Sequence, residues 1–148
     1  QAFNDCGGLL ETCILGSGDW HMSYGLVGMP DLLPTSSELL TCGQNYVHAI
    51  RTWQRRAASV TLQNVGCVNG MAIHNFHGSK VKRGYGKRWE LLRDEKFDPY
   101  VDIFKDAHGI IQLDPKRITL RDGIRRYILS RDEDDISVQE ADSNITFL

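Results

Sequence analysis

The chain has 148 residues, of which 41 % are hydrophobic and 24 % are charged, and its formal net charge is −2 at pH 7. This length predicts one domain or part of one, and the composition is that of a globular rather than a disordered chain. The small net charge gives no electrostatic reason to expect nucleic acid as a partner, and no apolar run approaches the ~20 residues that cross a membrane.

The first half of the chain predicts mainly helices. A helix and a turn are predicted over residues 1–13 and a helix over 19–28, and prolines then mark a loop before a longer helix over 37–57. An approximate apolar stripe and a basic end favour this longer helix. Residues 58–62 and 66–73 are predicted as strands from their apolar and β-branched content.

The second half continues with a helix over 83–95, which Phe97-Asp98-Pro99 ends because the residue before a proline avoids helical geometry. Residues 100–114 form either a short hairpin or a loop. A last helix is predicted over 119–130, with apolar residues on one face. The acidic stretch that follows, 131–148, is predicted to be a flexible tail.

The four cysteines are Cys6, Cys13, Cys42 and Cys67, and they include no Cys-x-x-Cys pair and no zinc-ribbon spacing. Four cysteines in a chain of this length do not make a disulfide scaffold. We therefore expect reduced thiols and a cytoplasmic location.

The segment Ile14-Leu15-Gly16-Ser17-Gly18-Asp19-Trp20-His21-Met22 places an acid on a turn of small residues that opens a predicted helix. Glycines let the backbone bend sharply and let a ligand approach closely, and the helix dipole stabilises an ionised acid at this end. Asp19 is therefore a candidate functional carboxylate. A simple helix N-cap is the alternative for the same residue.

A second polar cluster, residues 73–88, follows a predicted apolar strand and combines histidines with lysines and arginines. Imidazole is a good ligand for divalent transition metals, and manganese also accepts carboxylate and phosphate oxygens. Arginine binds phosphate through a bidentate fork and lysine as a point charge. A metal-binding histidine, His74 or His77, followed by several cations is the arrangement that stabilises a nucleotide diphosphate as a leaving group. The cluster therefore predicts a site for such a group. A solvated basic loop with one packed histidine is the alternative.

These two clusters, together with Phe97-Asp98-Pro99 and residues 127–134, resemble the C-terminal half of GT-A-fold glycosyltransferases, in particular the family-two-like enzymes of phage and bacterial sequences. The resemblance implies an α/β fold, a partial GT-A fold with several helices and few strands. Residues 1–148 would be the acceptor-side, C-terminal part of one catalytic domain. The nucleotide-binding half with its Asp-x-Asp motif would precede Gln1, and Asp132-Glu133-Asp134 is interpreted as a solvated run.

The same resemblance implies an activity and the residues that carry it. The activity would be metal-dependent, inverting transfer of a sugar from a nucleotide-diphosphate sugar to a hydroxyl of a carbohydrate acceptor. Asp19 would be the base that deprotonates the acceptor. His74 or His77 would bind the metal, Mn²⁺ with Mg²⁺ as the alternative. The substrate-binding residues would be Gly18, Trp20, Lys80, Arg83 and Tyr85, with Lys80 and Arg83 near the diphosphate.

Three alternatives stay open. Trp20, beside the expected base, either stacks on a sugar ring or packs in the core. A metal-dependent hydrolase that uses His74, His77 and Asp19 would need no upstream half. A non-catalytic binding or virion-associated module would keep the fold without the chemistry.

Overall fold

The computed structural model describes residues 1–30, 41–73 and 81–131. Within these ranges the protein is a small mixed α/β fold with five helices and one two-stranded sheet. In chain order the elements are α1 (Ala2–Asp5), α2 (Gly18–Leu26), α3 (Gln44–Thr61), α4 (Lys87–Asp94), β1 (Ile103–Lys105), β2 (Ile111–Leu113) and α5 (Ile118–Ser130). The predicted start of the helix over 37–57 and nearly all of the predicted tail lie outside the described residues.

Helix α3 is the central element, and its sequence repeats apolar residues at helical spacing. Tyr46, Ile50, Trp53 and Ala57 follow one another at intervals of three or four residues, so they share one face, and all four are buried. The helix begins after Gly43 and ends where Leu62 adopts a left-handed backbone conformation. Its buried face therefore forms the centre of the core.

Helix α2 crosses α3 at a glycine. A Cβ atom added to Gly25 would lie 2.8 Å from the Cα atom of Gln54, a distance that real Cβ atoms essentially never show. The buried side chain of Gln54 donates a hydrogen bond of 2.8 Å to the backbone oxygen of His21, and the Thr61 hydroxyl donates one of 2.9 Å to that of Leu26. These contacts fix α2, and hence the residues at its start, against the core.

Helices α4 and α5 pack against each other, and aromatic contacts join α4 and the residues after it to α3. The Tyr46 ring lies 6.2 Å from the Trp89 ring and 5.8 Å from the Phe97 ring, both centroid to centroid. Such tilted and edge-on pairs are favourable because the positive edge of one ring meets the negative face of another. Leu92 and Leu120 are fully buried beside them.

The sheet is a short antiparallel hairpin between α4 and α5. Ile103 pairs with Leu113, and Lys105 pairs with Ile111. The turn is organised by the Asp106 carboxylate, which accepts hydrogen bonds from two backbone N–H groups, and Gly109 adopts a positive φ of +76°. Those two hydrogen bonds, from Ile110 and His108, hold the pKa of Asp106 below its ordinary value because they favour the ionised carboxylate.

The structure corrects the strands predicted at 58–62 and 66–73. Residues 58–61 continue α3, where Val60 packs on the core, so burial of a helix face outweighs the β-branched composition. Residues 66–73 form neither helix nor strand. The first predicted helix is also shorter than expected, since α1 spans only Ala2–Asp5. None of the helices in the described ranges has the length and apolar character to cross a membrane.

Candidate functional site

A cleft of about 820 Å³ lies where three parts of the chain meet. One wall is the turn and first residues of α2, over 14–21. A second wall is the segment over 83–89, which leads into α4, and the end of α5 closes the third side. The volume is in the range of small-molecule sites, which are typically about 300–1,000 Å³.

The turn before α2 has a backbone that most residues avoid. Gly16 has φ +106° and Ser17 has φ +65°, so two consecutive residues lie in the left-handed region. A Cβ atom at Gly16 would lie 2.6 Å from the Nη1 atom of Arg88, so this position needs a glycine both for its backbone and for its neighbour. Helix α2 begins directly after this turn, at Gly18.

Asp19 and Trp20 both line the cleft and are exposed to solvent. Asp19 lies in the first turn of α2 and is exposed, and it is not the N-cap, because Ser17 occupies that position without a side-chain capping bond. The Trp20 side chain also lines the cleft and is 54 % exposed. The core alternative for Trp20 is therefore wrong.

Two arginines face them from the second wall. The guanidinium carbons of Arg83 and Arg88 lie 4.9 Å and 5.0 Å from the centroid of the Tyr85 ring. None of the ion pairs within the described ranges involves either arginine. The Nε atoms of both are buried without a hydrogen-bond partner there. The wall is therefore cationic, which suits an anionic ligand.

Arg88 also binds the opposite wall. Its Nη1 donates a hydrogen bond of 3.3 Å to the backbone oxygen of Leu15, and its Nη2 donates one to the hydroxyl of Ser17. The guanidinium carbon lies 5.2 Å from the centroid of the Trp89 ring. One side chain on α4 thus ties the second wall of the cleft to the turn that carries Asp19.

His21 lies at the inner end of the cleft. It is only 2 % exposed, its ring packs edge-on against Trp89 with centroids 6.3 Å apart, and neither ring nitrogen has a hydrogen-bond partner among the described residues. Burial, with the positive charge of Arg88 as the second cause, lowers the pKa of His21 to about 4, and the negative charge of Asp19 opposes both. At neutral pH the ring is uncharged.

The structure brings four of the predicted site residues into this cleft, namely Asp19, Trp20, Arg83 and Tyr85. Gly18 does not line it; an added Cβ atom there would face Leu10 and Cys13 instead. His74, His77 and Lys80 lie outside the described residues. Over 1–30, 41–73 and 81–131, no three histidine, cysteine or acidic side chains come together as a metal site. The four cysteines are free thiols.

Sequence reasoning did not select Arg88, His21 or Tyr127 as site residues. Arg88 stood within the predicted basic cluster, but its contact with Ser17 spans 71 positions and leaves no local pattern. His21 was visible only as a neighbour of Asp19. Tyr127 lies within the helix predicted over 119–130, and its hydroxyl donates a hydrogen bond to the backbone oxygen of Arg83 in the second wall.

No protein-family model, curated protein or solved structure matches this chain. The features from which a function can be argued are those of the cleft. They are an exposed carboxylate, two arginines without carboxylate partners in the described part of the chain, and exposed aromatic rings on facing walls.

Proposed function

We propose that this cleft belongs to a glycosyltransferase of the GT-A type and binds a nucleotide-diphosphate sugar. In this proposal the sugar is transferred to a hydroxyl group of a carbohydrate acceptor. Asp19 would accept the proton of the acceptor hydroxyl, and Arg83 and Arg88 would bind the diphosphate. The resemblance of the two sequence clusters to this family suggested the activity, and the geometry of the cleft supports it.

The observation that carries the proposal is the pairing of one carboxylate with two arginines across a single cleft. Asp19 and Arg88 are close enough to the same ring, that of His21, for both charges to shift its pKa, in opposite directions. Transfer with inversion needs a base on one face of the sugar and a stabilised leaving group on the other. A carboxylate facing a cationic wall supplies both requirements.

The aromatic residues fit the sugar part of such a substrate. Trp20 is 54 % exposed beside Asp19, and Tyr85 is 41 % exposed on the cationic wall. A large exposed ring in a cleft offers a flat apolar surface, which suits the apolar face of a pyranose. We expect Trp20 to stack on a sugar next to the base.

The chemistry proposed for the described residues is limited to proton transfer and charge stabilisation. Asp19 would accept the proton of the acceptor hydroxyl as that oxygen attacks the anomeric carbon. Arg83 and Arg88 would stabilise the negative charge that develops on the departing diphosphate. In the family that the sequence resembles, a divalent cation would share this second task. The described residues do not form a site for one.

Substitution of the carboxylate tests the proposal. The full-length protein would be assayed with a panel of nucleotide-diphosphate sugars and saccharide acceptors. Asp19→Asn should lower transfer by about 10²–10⁴-fold and leave donor affinity nearly unchanged, because the amide keeps the shape but accepts no proton. Glu90→Gln, an exposed acid on α4 outside the cleft, is the matched control. Transfer at the parent rate by Asp19→Asn would rule out its role as the base.

A non-catalytic carbohydrate-binding module is the second candidate, and the preponderance of cationic and aromatic residues over acids in the cleft favours it. The same assay separates the two. A binding module would retain an anionic sugar in the cleft, lose affinity with Arg83 or Arg88 substitutions, and show no transfer with any donor in the panel.

A further inference from the structure

We propose that Arg88 binds the anionic group of the ligand and at the same time holds the turn that carries Asp19, so that anion binding orders the position of the carboxylate. This inference rests on the proposed function for the identity of the ligand, which is taken to be a diphosphate. It goes further by assigning a positioning role to a residue on the opposite wall of the cleft.

The first observation is the hydrogen bonding of the guanidinium. Arginine has five N–H donors, and Arg88 uses one on the backbone oxygen of Leu15 and one on the hydroxyl of Ser17. Of the three N–H groups that remain, the Nε–H is buried, so donation to a ligand falls to the remaining N–H of each Nη atom. Arg88 therefore has donors left for a ligand while it keeps both bonds to the turn.

The second observation is the conformation of the turn itself. Gly16 and Ser17 both have positive φ values, which for a non-glycine residue such as Ser17 is an unfavourable conformation that its surroundings must maintain. The guanidinium lies directly against Gly16, where any Cβ atom would lie 2.6 Å from Nη1. Arg88 is thus the side chain best placed to hold this turn.

The third observation is that Arg83 provides a matched comparison. Both arginines lie about 5 Å from the Tyr85 ring, and both line the cleft. Within the described residues, Arg88 donates hydrogen bonds to the turn and Arg83 donates none to it. Anion binding to Arg83 should contribute affinity, whereas anion binding to Arg88 should also change the mobility of the turn.

The experiment uses inorganic pyrophosphate as the probe and measures amide hydrogen exchange. The N–H of Gly16 is bonded to the oxygen of Cys13 at 3.0 Å, and the N–H of His21 to the oxygen of Ser17 at 3.1 Å, so these amides report on the turn. Saturating pyrophosphate should slow their exchange about tenfold in the parent protein, because a group that orders a segment suppresses its local opening.

Three variants distinguish the roles. In Arg83→Lys, pyrophosphate should bind several-fold more weakly than in the parent. When both proteins are compared at the same fraction of bound pyrophosphate, the amide exchange of the turn should be slowed equally. Arg88→Lys keeps the positive charge but loses the planar guanidinium that donates two hydrogen bonds at once. At the same fraction of bound pyrophosphate, the slowing of amide exchange in the turn should fall below about twofold. Ser17→Ala removes one of the two hydrogen bonds from Arg88 to the turn and leaves the bond to Leu15 and the charge, so pyrophosphate binding should persist while the slowing is partly lost.

The inference is overturned if pyrophosphate fails to slow exchange in the parent, or if Arg88→Lys and Ser17→Ala keep the full effect. Neither outcome depends on sugar transfer. Transfer activity with an unaffected turn would leave the proposed function standing without this coupling, and an ordered turn without transfer in any assay would leave the coupling standing without that function.

Discussion

The hydroxyl of Tyr127, on α5, donates a hydrogen bond of 3.0 Å to the backbone oxygen of Arg83. The ring of Tyr127 also covers Gly84, whose φ of +53° allows the tight turn between Arg83 and Tyr85. The last helix of the described chain therefore both lines the cleft and supports its cationic wall.

Tyr127→Phe tests this support, because it removes the hydroxyl and keeps the ring. The lost hydrogen bond should lower the free energy of unfolding by about 0.5–1.5 kcal/mol, and pyrophosphate should bind several-fold more weakly. Chemical denaturation and calorimetric titration measure the two effects. The exposed Tyr100 lies outside the cleft, so Tyr100→Phe should change neither quantity. Equal behaviour of both variants would contradict the supporting role.

Gly25→Ala tests the close crossing of α2 and α3. The added methyl group would overlap the backbone of Gln54, which cannot move without disturbing the core, so we expect a loss of about 1–3 kcal/mol in the free energy of unfolding. Gly70→Ala is the control, because a Cβ atom there meets no atom within 4 Å and its φ is not positive. Thermal or urea denaturation of the two variants should separate them clearly.

The buried His21 should make the protein less stable in mild acid. Its pKa is about 4 in the folded protein and about 6.5 in an unfolded chain, so the unfolded state binds more protons between these values. The free energy of unfolding should therefore fall as the pH drops from about 6.5 towards 4, in total by roughly 2–3 kcal/mol.

His21→Asn removes the titrating ring and should flatten this part of the pH profile, whatever its effect on stability at pH 7. The matched control is His108→Asn, which removes an exposed histidine in place of a buried one. Denaturation at several pH values between 7 and 4.5 provides the comparison. An unchanged slope in His21→Asn would mean that other groups cause the acid sensitivity.

Asp102 is a buried acid outside the cleft, and its removal should be costly. Its carboxylate lies 3.5 Å from the Nε atom of Arg117 and accepts a hydrogen bond of 2.8 Å from the backbone N–H of Asp98. Asp102→Ala leaves both partners without it, and we expect a loss of about 2–4 kcal/mol in the free energy of unfolding.

Asp102→Asn should lose less than Asp102→Ala, because the amide oxygen still accepts the bond from Asp98. Asp94→Ala removes an exposed partner of Arg93 and should change the free energy of unfolding little, because solvent screens exposed ion pairs. Urea denaturation of the three variants tests the order. A loss for Asp102→Ala as small as that for Asp94→Ala would contradict the structural role assigned to Asp102.

The sequence predicted those elements whose pattern is local. The helix expected over 19–28 is confirmed as Gly18–Leu26, the helix over 119–130 as Ile118–Ser130, and the hairpin alternative for 100–114 is correct. The strand prediction at 58–62 failed for a tertiary reason. Val60 and Thr61 have side chains that favour strands. In the structure, however, Val60 packs on the core and the Thr61 hydroxyl donates a hydrogen bond to α2, and both contacts are made from the helix.

The candidate site shows the same limit. Asp19 and Trp20 could be selected because a run of small residues precedes them, and Arg83 because it lies in a basic run. The contact of Arg88 with Ser17 could not, since it joins two segments that lie 71 positions apart in the chain. The proton state of His21 is likewise set by burial and by charges that no sequence window contains together.

The unequal exposure of the three tryptophans provides the protein with an intrinsic optical probe. Trp53 and Trp89 are 9 % and 8 % exposed, whereas Trp20, in the cleft, is 54 % exposed. A water-soluble collisional quencher such as acrylamide will reach mainly Trp20, so the fluorescence that it removes comes from the cleft. Any molecule that occupies the cleft will shield that emission, and occupancy can be followed without a label.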